Sequence, residues 1–266
     1  MGNRCGWIDA PYRGFGMALA VLMAAGGAFA DDVGAFIAGS TTNCAGCDLT
    51  RADLHGRELK RAKLDGAVLK NANLDGTSLF RATLQHTDFS GATLDKANLN
   101  LVDAKWADFS KAVLTGALLY EADLSSAKLV GTKLDGAHLG RARLNQADLQ
   151  GAILSGADLR EARLADAKLA GADMRGVKLD GQNLRDMKLG GIDFTMSDMV
   201  EADLTGADLH GAKLAGVDLT GANLHGADLT GANFEGANLN TAILTDAKLD
   251  GASFDAAIMP DGHRHE

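Results

Sequence analysis

Residues 202–231 read ADLTG ADLHG AKLAG VDLTG ANLHG ADLTG. Every fifth residue is Leu, from Leu204 to Leu229, with Ala or Val two positions before it and Asp, Asn or Lys between. A period of five matches neither the two of a strand nor the 3.6 of a helix. It matches a short extended piece followed by a turn. In such a piece Ala202 and Leu204 face one side and Asp203 the other. A chain that turns every five residues winds into a tube, with Leu and Ala inside and polar residues outside. One unit cannot bury its own Leu, so the coils must stack to make a core.

The pattern extends far beyond this stretch. From position 49 to 259 every fifth residue is apolar without a phase slip, and 34 of these 43 positions are Leu. The exceptions are Phe89, Ala104, Phe109, Met174, Phe194, Met199, Phe234, Phe254 and Met259. Two residues before, 31 of 43 are Ala. Nearly the whole chain is therefore one repeat domain. Aromatic residues make up only 5% of it, too few for an ordinary core of this size.

The second residue after each Leu gives the number of sides. Sorted by a period of 20 over positions 56–251, the columns starting at Gly56 and Asn71 are Gly in 8 of 10 cases each. The other two columns hold 2 and 3 glycines of 10. Four pentapeptides thus make one coil, with two Gly-rich corners and two Gly-poor ones. A type II turn needs φ > 0 at its third residue, which favours Gly. The expectation is type II turns at the Gly corners and other turn types elsewhere. Phe89 then lies one coil below Phe109, and Phe234 one below Phe254.

These units, A-(D/N/K)-L-x-x over residues 44–259, resemble the pentapeptide repeat family. The stretch Asn43-Cys44-Ala45-Gly46-Cys47-Asp48-Leu49 resembles the C-x-x-C-(D/N)-L opening common there. The resemblance implies an all-β solenoid, a right-handed quadrilateral β-helix. About 11 coils at ~4.8 Å spacing give a rod of about 50 Å.

Residues 1–30 read as a secretory signal peptide. Arg4 and Arg13 precede and flank an uncharged apolar stretch from Phe15, and Ala28-Phe29-Ala30 is an A-x-A cleavage signal. The stretch is short for a membrane span, although an uncleaved anchor helix is the alternative. Cleavage after Ala30 leaves a periplasmic or secreted chain with no further segment able to span a membrane, and shifts the formal net charge from −9 to −10. That acidity argues against direct nucleic-acid binding, which draws on Lys and Arg. Residues 31–43 are expected to cap the first coil, with Val33, Phe36 and Ile37 on one face of a short helix. Residues 260–266 are expected to be a disordered polar tail behind Pro260, leaving the last coil edge open for self-association.

Candidate chemistry is sparse. Cys44 and Cys47 occupy inward positions and read equally as small core residues or as a disulfide in an oxidising compartment. Of the seven histidines, the five within the repeat, His55, His86, His138, His210 and His225, fall in different columns, which gathers no metal site or triad. No unit carries an inserted residue, so no loop builds a pocket. No catalytic residue, cofactor or metal is expected.

The candidate partner surface is the Gly-poor side, with Trp106, Arg141 and Arg143 on it and Phe80, Leu101, Leu118 and Tyr120 beside it. Aromatic residues with Arg are enriched at interface centres. A second feature is a charge gradient, from near neutral over residues 48–100 to a net of −7 over residues 201–259. From Met174 to Met199 the inward Ala is replaced by Val177, Gln182, Met187, Ile192 and Ser197. These should widen or bend the tube, and Gln182 needs a buried hydrogen-bond partner.

The reading is a non-catalytic exported rod acting as a structural or protein-interaction scaffold. The alternative comes from the resemblance: some family members act on DNA gyrase through an acidic rod resembling duplex DNA. An enzyme is a distant third.

Overall fold

The computed structural model describes residues 27–266. The expected signal segment lies mostly outside the described residues, up to position 26. One helix, α1 (Gly27–Ile37), leads into the repeat. Among the described residues no helix is long and apolar enough to cross a membrane.

Along nearly the whole rod the residue at the Asp position pairs in parallel with the residue twenty positions on, as in Asp53↔Asn73 and Asn73↔Thr93. Leu54 N–H donates to Asn73 O at 2.7 Å and Asn73 N–H to Ala52 O at 2.9 Å. Four such columns, starting at Asn43, Asp48, Asp53 and Glu58, form the first to fourth sides of the rod. The Leu and Ala rows fill it: Leu54, Leu64, Ala67 and Leu74 are among dozens of side chains with essentially no exposure. Phe89 stacks on Phe109 at 4.8 Å and Phe234 on Phe254 at 5.0 Å, as the twenty-residue period requires.

The corners correct one expectation. At Gly46, Gly56 and Gly66 the third turn residue has φ of 63–69°, and the turn closes through bonds such as Arg57 N–H to Leu54 O. Arg51, Arg61, Trp106 and Met196 adopt the same left-handed conformation, with φ of 57–60°. It recurs at every corner from Gly46 to Ala256, glycine or not. The reason is stacking. Along most of the rod each corner hydrogen-bonds to the one above, as Arg51 N–H does to Lys70 O, and each turn also closes on itself, as Ala52 N–H does on Leu49 O, so a corner with other dihedrals would lose these bonds. The left-handed region costs a non-glycine residue about 1 kcal/mol or more, and the ladder offsets it.

The outward Asp or Asn has a job at these corners. Its carboxylate or amide oxygen accepts the N–H two residues on, which the ladder leaves free. Asp88 Oδ1 accepts from Ser90 N–H at 3.0 Å and from its hydroxyl at 2.6 Å. Asn98 serves Asn100, and Asp228 serves Thr230. This local side-chain-to-backbone bond is why the repeat selects Asp and Asn there.

Where the inward Ala is replaced, packing adjusts. Thr77, Thr87 and Thr132 are fully buried, and each hydroxyl donates to the carbonyl 23 residues earlier at 2.7–2.8 Å. Val102 and Ala104 exchange the usual sizes, which conserves volume, and both are buried. The Val102 turn bond to Leu99 O stretches to 3.4 Å.

The ends are closed differently. Helix α1 seats Phe36 in the core with no exposure, and Val33 packs against it. Ile37, expected to join them, is instead 39% exposed. Gly39 and Ser40 end the helix, donating to Phe36 O and Ala35 O, with Gly39 at φ 77°. Arg57, at an inward position of the first coil, reaches down to Phe36 O at 3.3 Å. The first corner is joined covalently, with Cys44 and Cys47 bonded, their Cα atoms 5.2 Å apart and both side chains buried.

At the other end the expected disordered tail folds back. Ile258 and Arg264 form an antiparallel bridge, and His265 N–H donates to Ala257 O at 2.7 Å. The tail covers the fourth side only. The amides of Leu244, Leu249 and Phe254 on the other three sides donate to no backbone group.

Candidate functional site

The corner between the fourth and first sides carries the exposed aromatic residue Tyr120. Its side chain leaves the residue after the inward Leu119, so it must point outward. Arg141, one coil up, donates through Nη1 to the Tyr120 hydroxyl at 2.9 Å. The Arg141 guanidinium also lies 5.8 Å from the ring centroid. Arg141 Nε in turn donates to Glu161 Oε2 at 2.8 Å, one coil higher. Three successive coils thus contribute one ridge, Tyr120–Arg141–Glu161. Glu161, first among the nearby groups, holds the Arg141 guanidinium above its ordinary pKa.

An open groove lies on each flank of this ridge. On the first side, a groove of ≈ 510 Å³ is lined by Leu101, Asp103, Lys105, Asp123, Arg143 and Arg163 among others. Its charges alternate. Lys105 bridges Asp103 at 3.1 Å and Asp123 at 3.2 Å, and Arg143 reaches Asp123 at 3.4 Å. Burial pushes the Asp123 carboxyl up, but Ser125 and Lys105 together hold it below its usual range. On the fourth side, a groove of ≈ 550 Å³ is lined by Leu118, Tyr120, His138, Gly140 and Arg160. Leu118 is 36% exposed and Tyr120 42%.

Five of the seven surface residues singled out from the sequence meet here: Leu101, Leu118, Tyr120, Arg141 and Arg143. The other two line neither groove. Phe80 is half-buried two coils below Tyr120, under the Arg81 guanidinium at 5.2 Å. Trp106 sits on the far corner of the first side, stacked on His86 at 5.0 Å.

Gly140 is the residue that sequence reasoning missed. Its φ is not left-handed, so turn geometry does not require it. A Cβ there would meet the Tyr120 ring at 3.4 Å. A signal existed: between positions 50 and 255, Gly140 and Gly190 alone place Gly directly after the inward residue. Gly190 is the tighter case, since a Cβ there would overlap the His210 ring, whereas at Gly140 it would touch the Tyr120 ring at ordinary contact distance.

Three histidines are paired singly with carboxylates along the surface. His210 Nδ1 lies 2.6 Å from Asp208, His225 is 3.7 Å from Asp246 and His263 is 3.3 Å from Asp261. Among the described residues no three His, Cys, Asp or Glu side chains gather as a metal site would require.

The family described as pentapeptide repeats matches over residues 58–95, 77–116, 105–141, 142–181, 183–221 and 222–259. No curated protein sequence matches. Among solved structures, the chain is similar to HetL, a pentapeptide repeat protein involved in heterocyst differentiation regulation from the cyanobacterium Nostoc sp. strain PCC 7120. Identity is 32% over 88% of this chain and 97% of that one, with a TM-score of 0.33. It is similar at 21% identity to QnrB1, a plasmid-mediated fluoroquinolone resistance protein, over 68% of this chain and 90% of that one, with a TM-score of 0.51. A pentapeptide repeat protein of the Arabidopsis thaliana thylakoid lumen matches 39% of this chain and 68% of its own, at 31% identity and a TM-score of 0.29.

Proposed function

This chain belongs to the pentapeptide repeat family, and from that premise we propose that it is an exported, non-catalytic rod that holds a protein partner against the ridge of Tyr120 and Arg141. The observation that carries this reading is the held geometry of Tyr120. Its hydroxyl is bonded by Arg141 and its ring passes beside Gly140, yet 42% of the residue stays exposed. A side chain fixed before binding loses little entropy when a partner arrives, and Tyr and Arg are common anchors at interface centres. The alternating charges of the first-side groove add register rather than bulk attraction.

The reading includes cleavage after Ala30, a rod of about eleven coils, and α1 as the plug of its first coil. Cleavage there would leave Val33 and Phe36 on the mature chain. It also includes self-association as a second use of the rod. On the last coil, Ile243, Leu249 and Ile258 are 39–47% exposed beside the unpaired amides of Leu244 and Leu249.

The alternative, an acidic DNA mimic acting on an enzyme such as gyrase, is favoured by the acid surplus of residues 201–259. It is weakened because His210 and Lys248 sit on Asp208 and Asp228 in that region.

Two variants test the reading: Tyr120→Ser with Arg141→Glu on the ridge, and Val130→Ser on a remote corner. Loss of partner binding from native extracts with the ridge variant alone is expected. Equal binding by both would sink it.

A further inference from the structure

The ladder between the coils is complete along most of the rod and fails at one boundary. Between residues 161–173 and residues 180–193, eight amides that follow the repeat have no hydrogen-bond partner: those of Glu161, Leu164, Asp166, Leu169 and Gly171 below, and of Asn183, Lys188 and Asp193 above. The Arg163–Asn183 and Lys168–Lys188 bridges that the columns call for are absent among the described residues. One coil lower, the equivalent amides of Arg141, Leu144, Gln146, Leu149 and Gly151 are all bonded, at 2.8–3.0 Å.

The gap follows the side chains. Gln182 and Met187 stand at inward Ala positions on the first and second sides, directly over Ala162 and Ala167. These are the two sides on which both ladder bonds fail. Ala167 and Met187 are partly exposed there, unlike the fully buried Ala147 and Ala207 one coil beyond on either side. Charge does not hold the edges together. Lys168 pairs downward with Asp148, Arg141 ties Glu161 downward, and Arg185 pairs upward with Asp203. Lys168 and Lys188 face each other across the boundary with like charge. The side-chain hydrogen bond that crosses it is Gln182 Nε2 to Leu159 O at 2.8 Å.

The fourth side stays closed. Leu159 N–H donates to Lys178 O and Lys178 N–H to Ala157 O, both at 3.0 Å, and Asp158↔Lys178 and Lys178↔Asp198 are both bridged. The third side keeps Met174 N–H to Asp193 O at 3.0 Å and the Asp173↔Asp193 bridge, so the third and fourth sides stay joined opposite the two open ones, which is the geometry of a hinge.

We propose that the rod bends at this boundary, opening along the first and second sides about the third and fourth. The near-neutral half that carries the Tyr120 ridge then swings relative to the acidic half that follows residue 193. Glu161, the top of the ridge, is the first residue of the open boundary, so the ridge ends where the rod flexes. The inference rests on the ladder and does not depend on the ridge binding a partner.

Amide hydrogen exchange on the full chain tests it. The amides of Leu164, Leu169, Asn183 and Lys188 are expected to exchange about a hundredfold faster than those of Leu144, Leu149, Arg163 and Lys168. A double variant, Gln182→Ala with Met187→Ala, restores the common inward residue and is expected to bring the two sets within about tenfold. A second measurement needs no repaired variant. Spin labels at Lys128→Cys and Lys248→Cys, both on the second side, should give a broad distance distribution in the wild-type background. Equal protection of the two amide sets, or a single narrow distance, would overturn the hinge.

Discussion

Gln182 donates its Nε2 proton to Leu159 O at 2.8 Å across 23 residues, the same reach by which Ser197 meets Met174 O. Thr77, Thr87 and Thr132 do likewise. The inward Ala position of one coil sits over a turn carbonyl of the coil below. That carbonyl already accepts the turn amide, as Phe109 O accepts from Ala112 N–H, and has a second lone pair to offer. A buried polar group there is satisfied by the backbone of the tube itself. Replacing Thr132 by Val keeps the shape but sets a methyl against Phe109 O, and should cost about 1 kcal/mol in urea unfolding. Replacing it by Ala restores the common residue and should cost less than Thr132→Val.

The corners make an opposite-signed pair. Met196 is 71% exposed and held at φ 60°, so Met196→Gly should stabilise the rod by about 1 kcal/mol. Gly136 has the same φ of 60° and open space where a Cβ would go, so Gly136→Ala should fold and cost about the same amount. Urea midpoints of the two variants, at unchanged slope, check both signs.

Acid should unfold the rod through its corner carboxylates. Ser90 and Lys70 outweigh burial to hold Asp88 below its usual 3.8, and Thr230 with Lys248 takes Asp228 down to about 2. A folded-state value below the unfolded one gives stability that is present above the unfolded value and lost as pH falls through the folded one. The thermal midpoint should therefore fall from about pH 4 toward pH 2. Asp198 has the opposite sign, because burial, Asp180 and Asp218 raise its pKa. Asp198→Asn should raise the thermal midpoint at pH 7.

His210 should titrate above the ordinary 6.5, because Asp208 accepts its ring proton. Its contribution is present below the unfolded value and fades as pH rises through the folded one. Asp208→Asn should return the imidazole resonance, followed by NMR, to an ordinary titration.

The first coil depends on a residue that breaks the inward pattern. Arg57→Ala would restore the common Ala but remove the donor to Phe36 O, the carbonyl near the helix end. Faster exchange at the amides of Ala38 and Gly39, with the later coils unchanged, is the expected result.

Much of this was legible in the chain, and the limits have physical causes. Phe89 over Phe109 follows from a strict period of twenty, because a solenoid repeats every contact at a fixed interval. The turn types of the Gly-poor corners did not follow, because stacking forces Arg61 and Trp106 into a conformation that their own preferences oppose. The tail was misread for a similar reason. Its polar composition gives no core signal, yet Arg264 pairs with an edge that the last coil leaves open. On the candidate surface, outward register brought Tyr120 and Arg141 together. Trp106 went elsewhere because its corner lies at the other edge of the first side. Gly140 and Gly190 do not stand out when glycine is taken only as a turn residue, whereas both lie beside a ring of a neighbouring coil.

The central claim is that the Tyr120 ridge holds a protein partner, and site-specific photo-crosslinking in the native cell tests it most directly. A photoreactive phenylalanine would replace Leu118 beside the ridge, with Val130, 40% exposed on a remote corner, as the matched control. The account predicts one discrete protein adduct from position 118 that Arg141→Glu abolishes, and none from position 130. The same adducts from both positions, or none from either, would contradict it.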